Sequence, residues 1–135
     1  MRVWRLPAWL SLFAAAVFAA PAAGAGDEKG KSEAAAVVEM TDKLTFRPET
    51  VTIRAGERVK WINVSRVRHT VTADPEKASR SDSVALPEGA APFDSGFINA
   101  EASYTQTFTT PGRYVYFCIP HAGPGMIGEV IVDAG

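Results

Sequence analysis

Tyr114-Val115-Tyr116-Phe117-Cys118-Ile119-Pro120-His121-Ala122-Gly123-Pro124-Gly125-Met126 reads as the end of one strand, a tight loop and the approach to another. The first five residues are aromatic, β-branched or apolar, a composition that suits a strand. Pro120, Gly123, Pro124 and Gly125 then allow sharp changes of direction, so a short loop can turn its side chains toward one point. Those side chains include a thiol, an imidazole and a thioether, spaced C-x2-H-x4-M. Beyond Met126, Ile127 to Val132 reads as the next strand.

Working back from this stretch, Thr110-Pro111-Gly112-Arg113 predicts a type II turn, with proline and glycine central. Glu101 to Thr109 predicts a strand. Residues 74–92 are rich in Ala, Ser, Pro and Gly and predict a long irregular loop, with a helical turn near Lys77 to Arg80. Upstream, Val51 and Ile53 alternate with polar neighbours, and Val59, Trp61 and Asn63 share one face of a second run. His69 to Thr72 predicts a short strand. Many short strands separated by turn signals, with no amphipathic helix, indicate an all-β sandwich or barrel.

Three donors on one loop are an incomplete metal set, and the chain is sparing with others. There is one cysteine, so no intramolecular disulfide can form, and the histidines are only His69 and His121. Two His and one Cys with a weak axial Met describe a blue-copper electron-transfer site. The second imidazole must then be His69, which a sandwich can bring to the loop from a distant strand. An unpaired thiol in an exported protein also needs a reason, and ligation supplies one.

The export reading comes from the other end. Arg2 and Arg5 precede an uncharged apolar run, and Pro21-Ala22-Ala23-Gly24-Ala25 follows it, the pattern of a secretory signal peptide. Residues 1–25 are therefore expected to be a signal peptide, 26–36 a flexible leader and 37–135 the folded domain. The expected location is the bacterial periplasm, with no stable membrane insertion after cleavage; retention of the segment as an anchor is the alternative. The chain carries 14 basic and 15 acidic side chains, a formal charge of −1, which gives no broad electrostatic case for nucleic acid as a partner.

Phe93-Asp94-Ser95-Gly96 and Tyr114-x-Tyr116-Phe117-Cys118-x-Pro120-His121-x4-Met126-x-Gly128 together resemble the plastocyanin/pseudoazurin branch of the cupredoxins. Phe46-x-Pro48-x-x-Val51-x-Ile53, Trp61 and His69-Thr70-Val71 fit the same family. The resemblance implies a Greek-key β-sandwich of about eight strands with one copper near a pole, shuttling a single electron between larger redox proteins. It carries over His69, Cys118 and His121 as equatorial ligands, Met126 as the axial one, and the amide after His69 as a donor to the sulfur. Phe117 stands where plant plastocyanin has an exposed tyrosine, and no acidic run marks a remote docking patch. A monomer docking transient redox partners near His121 is expected, with Arg66 and Arg68 as nearby positive charge.

Rival functions meet specific objections. A copper enzyme needs further histidine-built sites, and both histidines are already used. A Cys118–His121 nucleophile leaves His69 and Met126 unexplained. Copper delivery or storage in the exported compartment is the alternative function, although a loop-locked site should release metal slowly.

Overall fold

The computed structural model describes residues 33–135; the expected signal peptide and most of the expected leader lie outside them. Alternation of apolar and polar residues becomes a two-layer sandwich. One layer has the order β2 (Phe46–Arg47), β1 (Ala36–Met40), β4 (Arg58–Asn63), β7 (Ser103–Thr107). The other has β3 (Thr50–Arg54), β9 (Ile127–Asp133), β8 (Gly112–Phe117), β5 (Thr72–Ala73), β6 (Phe93–Asp94). Neighbours distant in sequence, such as the parallel pairs β1–β4 and β3–β9, give the crossed-over connectivity expected of a Greek-key sandwich. Among the described residues no helix is long and apolar enough to cross a membrane.

Among the described residues nine strands form where about eight are expected, because one extended run changes layers. Phe46–Arg47 pairs with β1, and after Pro48 the chain crosses to lie along β9 as β3. A proline suits that crossing, since it has no N–H to leave unpaired. The expected strand at His69 to Thr72 is reduced to an isolated bridge between His69 and Ile98 and the two-residue β5. Gly112 also departs from the expected type II turn. It opens β8 at φ +134°, and a Cβ there would lie 2.7 Å from the Pro87 ring. Close approach of a distant segment therefore selects this glycine. In the 74–92 loop, single 3-10 turns form at Pro75–Lys77 and Ser81–Ser83, and Ala85 exchanges backbone hydrogen bonds with Val115.

The core lies between the layers. Val38, Met40, Val59 and Trp61 come from one sheet, Ile53, Tyr116 and Val130 from the other, and Cys118 from just past the end of β8. Fully burying a Val, Met or Phe-sized side chain stabilises by about 1.5–3 kcal/mol, so these positions supply much of the drive to close the sandwich. Trp61 is the hub, edge-on to Tyr116 at 5.2 Å between ring centroids and also packed on Tyr104 and Phe108. Asn63 continues the buried face of β4 although it is polar. Its partners lead directly to the site.

Candidate metal centre

β8 places alternate residues Tyr114 and Tyr116 in the core, and Cys118, the residue just past its end, continues the pattern. The chain then makes a 3-10 turn at Ile119–His121 and returns to β9. Backbone hydrogen bonds tie the loop to itself: the Cys118 amide donates to the Met126 carbonyl at 3.0 Å, His121 to Cys118 at 3.1 Å and Met126 to His121 at 3.2 Å. Each of the three donor residues on the loop is thus held by another of the three. Cys118 and Met126 are buried and His121 is half-buried.

His69 arrives from the other side, clamped to Ile98 by two backbone hydrogen bonds of 3.2 and 2.8 Å. Its Nδ1 lies 3.7 Å from the Cys118 Sγ, and the His121 Nδ1 lies 3.3 Å from the same sulfur. The donor atoms of these three residues all lie within 4.8 Å of one another. An ion bonded to N and S at about 2.0–2.3 Å in a plane would hold such donors about 3.5–4 Å apart, so the spacing fits one metal ion. Thiolate with imidazole is a soft set that suits copper.

The surrounding shell is only partly legible in the sequence. The Thr70 amide donates to the Cys118 sulfur at 3.3 Å, as the resemblance implied. Not anticipated is the polar chain behind His69. Ser65 Oγ lies 2.8 Å from His69 Nε2 and donates to Asn63 Oδ1 at 2.7 Å, while Asn63 Nδ2 donates to the carbonyls of Val67 and Ile98. One signal for it stands in the sequence: Asn63 on the apolar face of a strand. Ser65 is fully engaged with its neighbours and fixes which imidazole nitrogen faces the sulfur.

Electrostatics follow from burial. Desolvation lowers the His69 pKa, His121 adds to that, and Asp42 opposes it, so His69 stays neutral and able to ligate. Burial pushes the Cys118 thiol up, against the Thr70 and His121 amides, which favour the thiolate. In the metal-free chain the sulfur therefore tends to keep its proton, and a cation must displace it. Phe117 is buried on the opposite side of β8 from Cys118, so no aromatic edge beside the cysteine reaches the surface.

Comparison with known proteins now decides the family. The profile of the copper binding proteins, plastocyanin/azurin family, matches residues 32–133. This chain belongs to that family. Among its relatives in the plastocyanin/azurin family, a chloroplastic plastocyanin of Tetradesmus obliquus is 40% identical over 122 residues, covering 85% of this chain and 79% of that protein. A plastocyanin of Synechococcus sp. is 31% identical over 100 residues, covering 72% of each. Among solved family structures, the Cu(I) form of an amicyanin mutant superposes with TM-score 0.59 at 30% identity, covering 76% of this chain and 86% of that one. The family is one of copper-based electron carriers rather than enzymes, and the sandwich that positions the loop is the family's own.

Proposed function

We propose that His69, Cys118, His121 and Met126 would together hold one copper ion, and that the protein carries one electron at a time between larger redox proteins. The observation that carries this is the convergence of two imidazoles on a single buried sulfur, at 3.7 and 3.3 Å. Bound copper supplies the electron, cycling between Cu(I) and Cu(II). The chain's own part is to keep that change cheap. The loop, closed by its three backbone hydrogen bonds, restrains Cys118, His121 and Met126, and the Ser65 hydroxyl restrains His69. The Thr70 amide draws density from the sulfur and so bears on the potential.

His121 is the half-buried member of the set, flanked by exposed Pro120, Gly123 and Pro124. Partners are proposed to dock on this face, by contacts small enough to release quickly. The protein works as a monomer, exported to the periplasm by residues 1–25; an intact Met1 on the mature protein would favour an anchor instead. The buried, restrained donors weigh against copper delivery or storage, which needs ready release.

The decisive experiment is spectroscopic. Copper-loaded protein should be intensely blue when oxidised and bleach on reduction. Cys118→Ser should abolish the colour, whereas Met126→Leu should keep it and shift the potential. A colourless, redox-silent copper complex would overturn the proposal, and an unchanged potential in Met126→Leu would overturn the assignment of Met126 as a ligand.

A further inference from the structure

The metal end of the sandwich carries apolar surface that burial elsewhere does not explain. Phe97 is 58% exposed, Val67 42% and Ile119 39%. All three are rooted in the backbone that builds the site. Phe97 adjoins Ile98, which clamps His69; the Val67 carbonyl accepts from Asn63 Nδ2; and the Ile119 amide donates to the Thr70 hydroxyl at 2.9 Å. Their positions are therefore fixed relative to the donors.

Arg68 lays its guanidinium 4.4 Å from the Phe97 ring centroid. Arg66, also exposed, is anchored by its amide to the Asp42 carboxylate at 2.9 Å. Neither guanidinium has a carboxylate within ion-pair distance among the described residues, whereas Arg47, Lys77, Arg80 and Arg113 are all paired. Asp42 and Glu101 share a cleft with Arg66. An arginine stacked on an aromatic keeps its full charge in a preset orientation and is weakly hydrated, qualities that favour an interface.

We propose that Arg66, Arg68 and Phe97, with Val67 and Ile119, form a docking edge for an acidic face of a redox protein. The proposal rests on the carrier reading and names the partner's chemistry. Residues 33–135 carry 10 basic and 13 acidic side chains, so the body as a whole repels such a partner. A positive edge at the metal end then favours the approach that brings the partner beside His121. Steering comes from the two arginines, and fast release from the small apolar patch.

Stopped-flow oxidation of the reduced, copper-loaded full chain by hexacyanoferrate(III) tests the charge. One electron leaves Cu(I), giving Cu(II), and iron(III) becomes iron(II), with no bond made or broken. The rate should fall as salt is added, opposite to the dependence that the net negative charge predicts. Arg68→Glu should slow it about threefold or more at low salt. Arg54→Glu, the same charge change where β3 pairs with Asp133 at the end of β9 remote from Met126, should have little effect. A rate that rises with salt, or equal effects of the two variants, would overturn the proposal. Redox-inert hexacyanochromate(III) gives a second readout on the 15N-labelled full chain as purified, whatever its metal content. Amides of Arg66 to His69 and of Phe97 should broaden first, and broadening elsewhere or nowhere counts against the edge. Failure to bind copper would sink the carrier reading while leaving this map readable.

Discussion

The Thr70 amide donates to the Cys118 sulfur at 3.3 Å, and the Thr70 hydroxyl, from the same residue, accepts the amide of Ile119 at 2.9 Å. One residue thus grips the cysteine and the residue after it. That hydroxyl also pairs with Thr72 at 3.0 Å, which ties the grip to β5. Thr70→Val keeps shape and amide but orphans the Ile119 N–H. An unsatisfied, partly buried donor costs about 1–3 kcal/mol. Urea unfolding of the metal-free variant should show a loss of that size, while the copper-loaded form stays blue. Thr70→Ser should recover most of the stability.

A second test concerns the support behind His69. Ser65→Ala removes the hydroxyl 2.8 Å from Nε2 and leaves Asn63 Oδ1 with one donor fewer. Groups that orient a ligating histidine contribute about 10–100-fold in metal affinity. Competition with a chelator should report a loss in that range, with Ser65→Thr closer to the parent. A change in overall stability with unaltered affinity would assign Ser65 a purely structural role.

The candidate donors were legible because three of them share one loop, where spacing alone groups them, and because His69 is the only other imidazole available. The sandwich was legible from alternation at Val51 to Ile53 and Val59 to Asn63, whose buried faces match the apolar ones. What stayed hidden depends on contacts between distant segments. Ser65 reads as an ordinary loop serine until Asn63 and His69 close around it. Gly112 reads as a turn glycine until Pro87 lies against it. The layer change at Pro48 likewise needs β1 and β9 in place before one run reads as two strands.

Tyr116 offers a test of the core. Its hydroxyl and the Trp61 indole N–H are both buried without a formed hydrogen bond. Burial pushes the phenol pKa far up, against a small opposing pull from the nearby indole. Tyr116→Phe deletes an unsatisfied hydroxyl and should be neutral or stabilising by about 1 kcal/mol, with the blue band unchanged. Gly128→Ala should do the reverse. Its new Cβ would lie 2.4 Å from the Tyr116 Cζ and Oη, and overpacking of this kind costs about 1–3 kcal/mol. Thermal unfolding of the two variants should separate them in opposite directions.

The last prediction is a pH dependence away from the metal. Asp94 accepts from the Thr72 hydroxyl at 2.9 Å, the Gly96 amide at 3.1 Å and Lys77 Nζ at 2.5 Å, pinning β6 and the chain after it to β5. Burial alone would raise its pKa, but Lys77, the Gly96 amide and the Thr72 hydroxyl together outweigh it and hold the carboxyl below its ordinary value. A depressed folded pKa means the unfolded chain binds the proton more readily. The stabilisation is therefore complete above the ordinary aspartate pKa, about 3.9, and is lost as pH falls through the lower folded value. The Lys77 contact is solvent-exposed and adds little, so the hydrogen bonds from Thr72 and Gly96 set the scale. Asp94→Asn should cost about 1–2 kcal/mol near pH 7. The variant and parent curves should converge below about pH 3. Urea titrations of metal-free protein at a series of pH values would check this without protonation of bound ligands entering. A gap between the curves that persisted into acid would show that Asp94 acts through shape rather than charge.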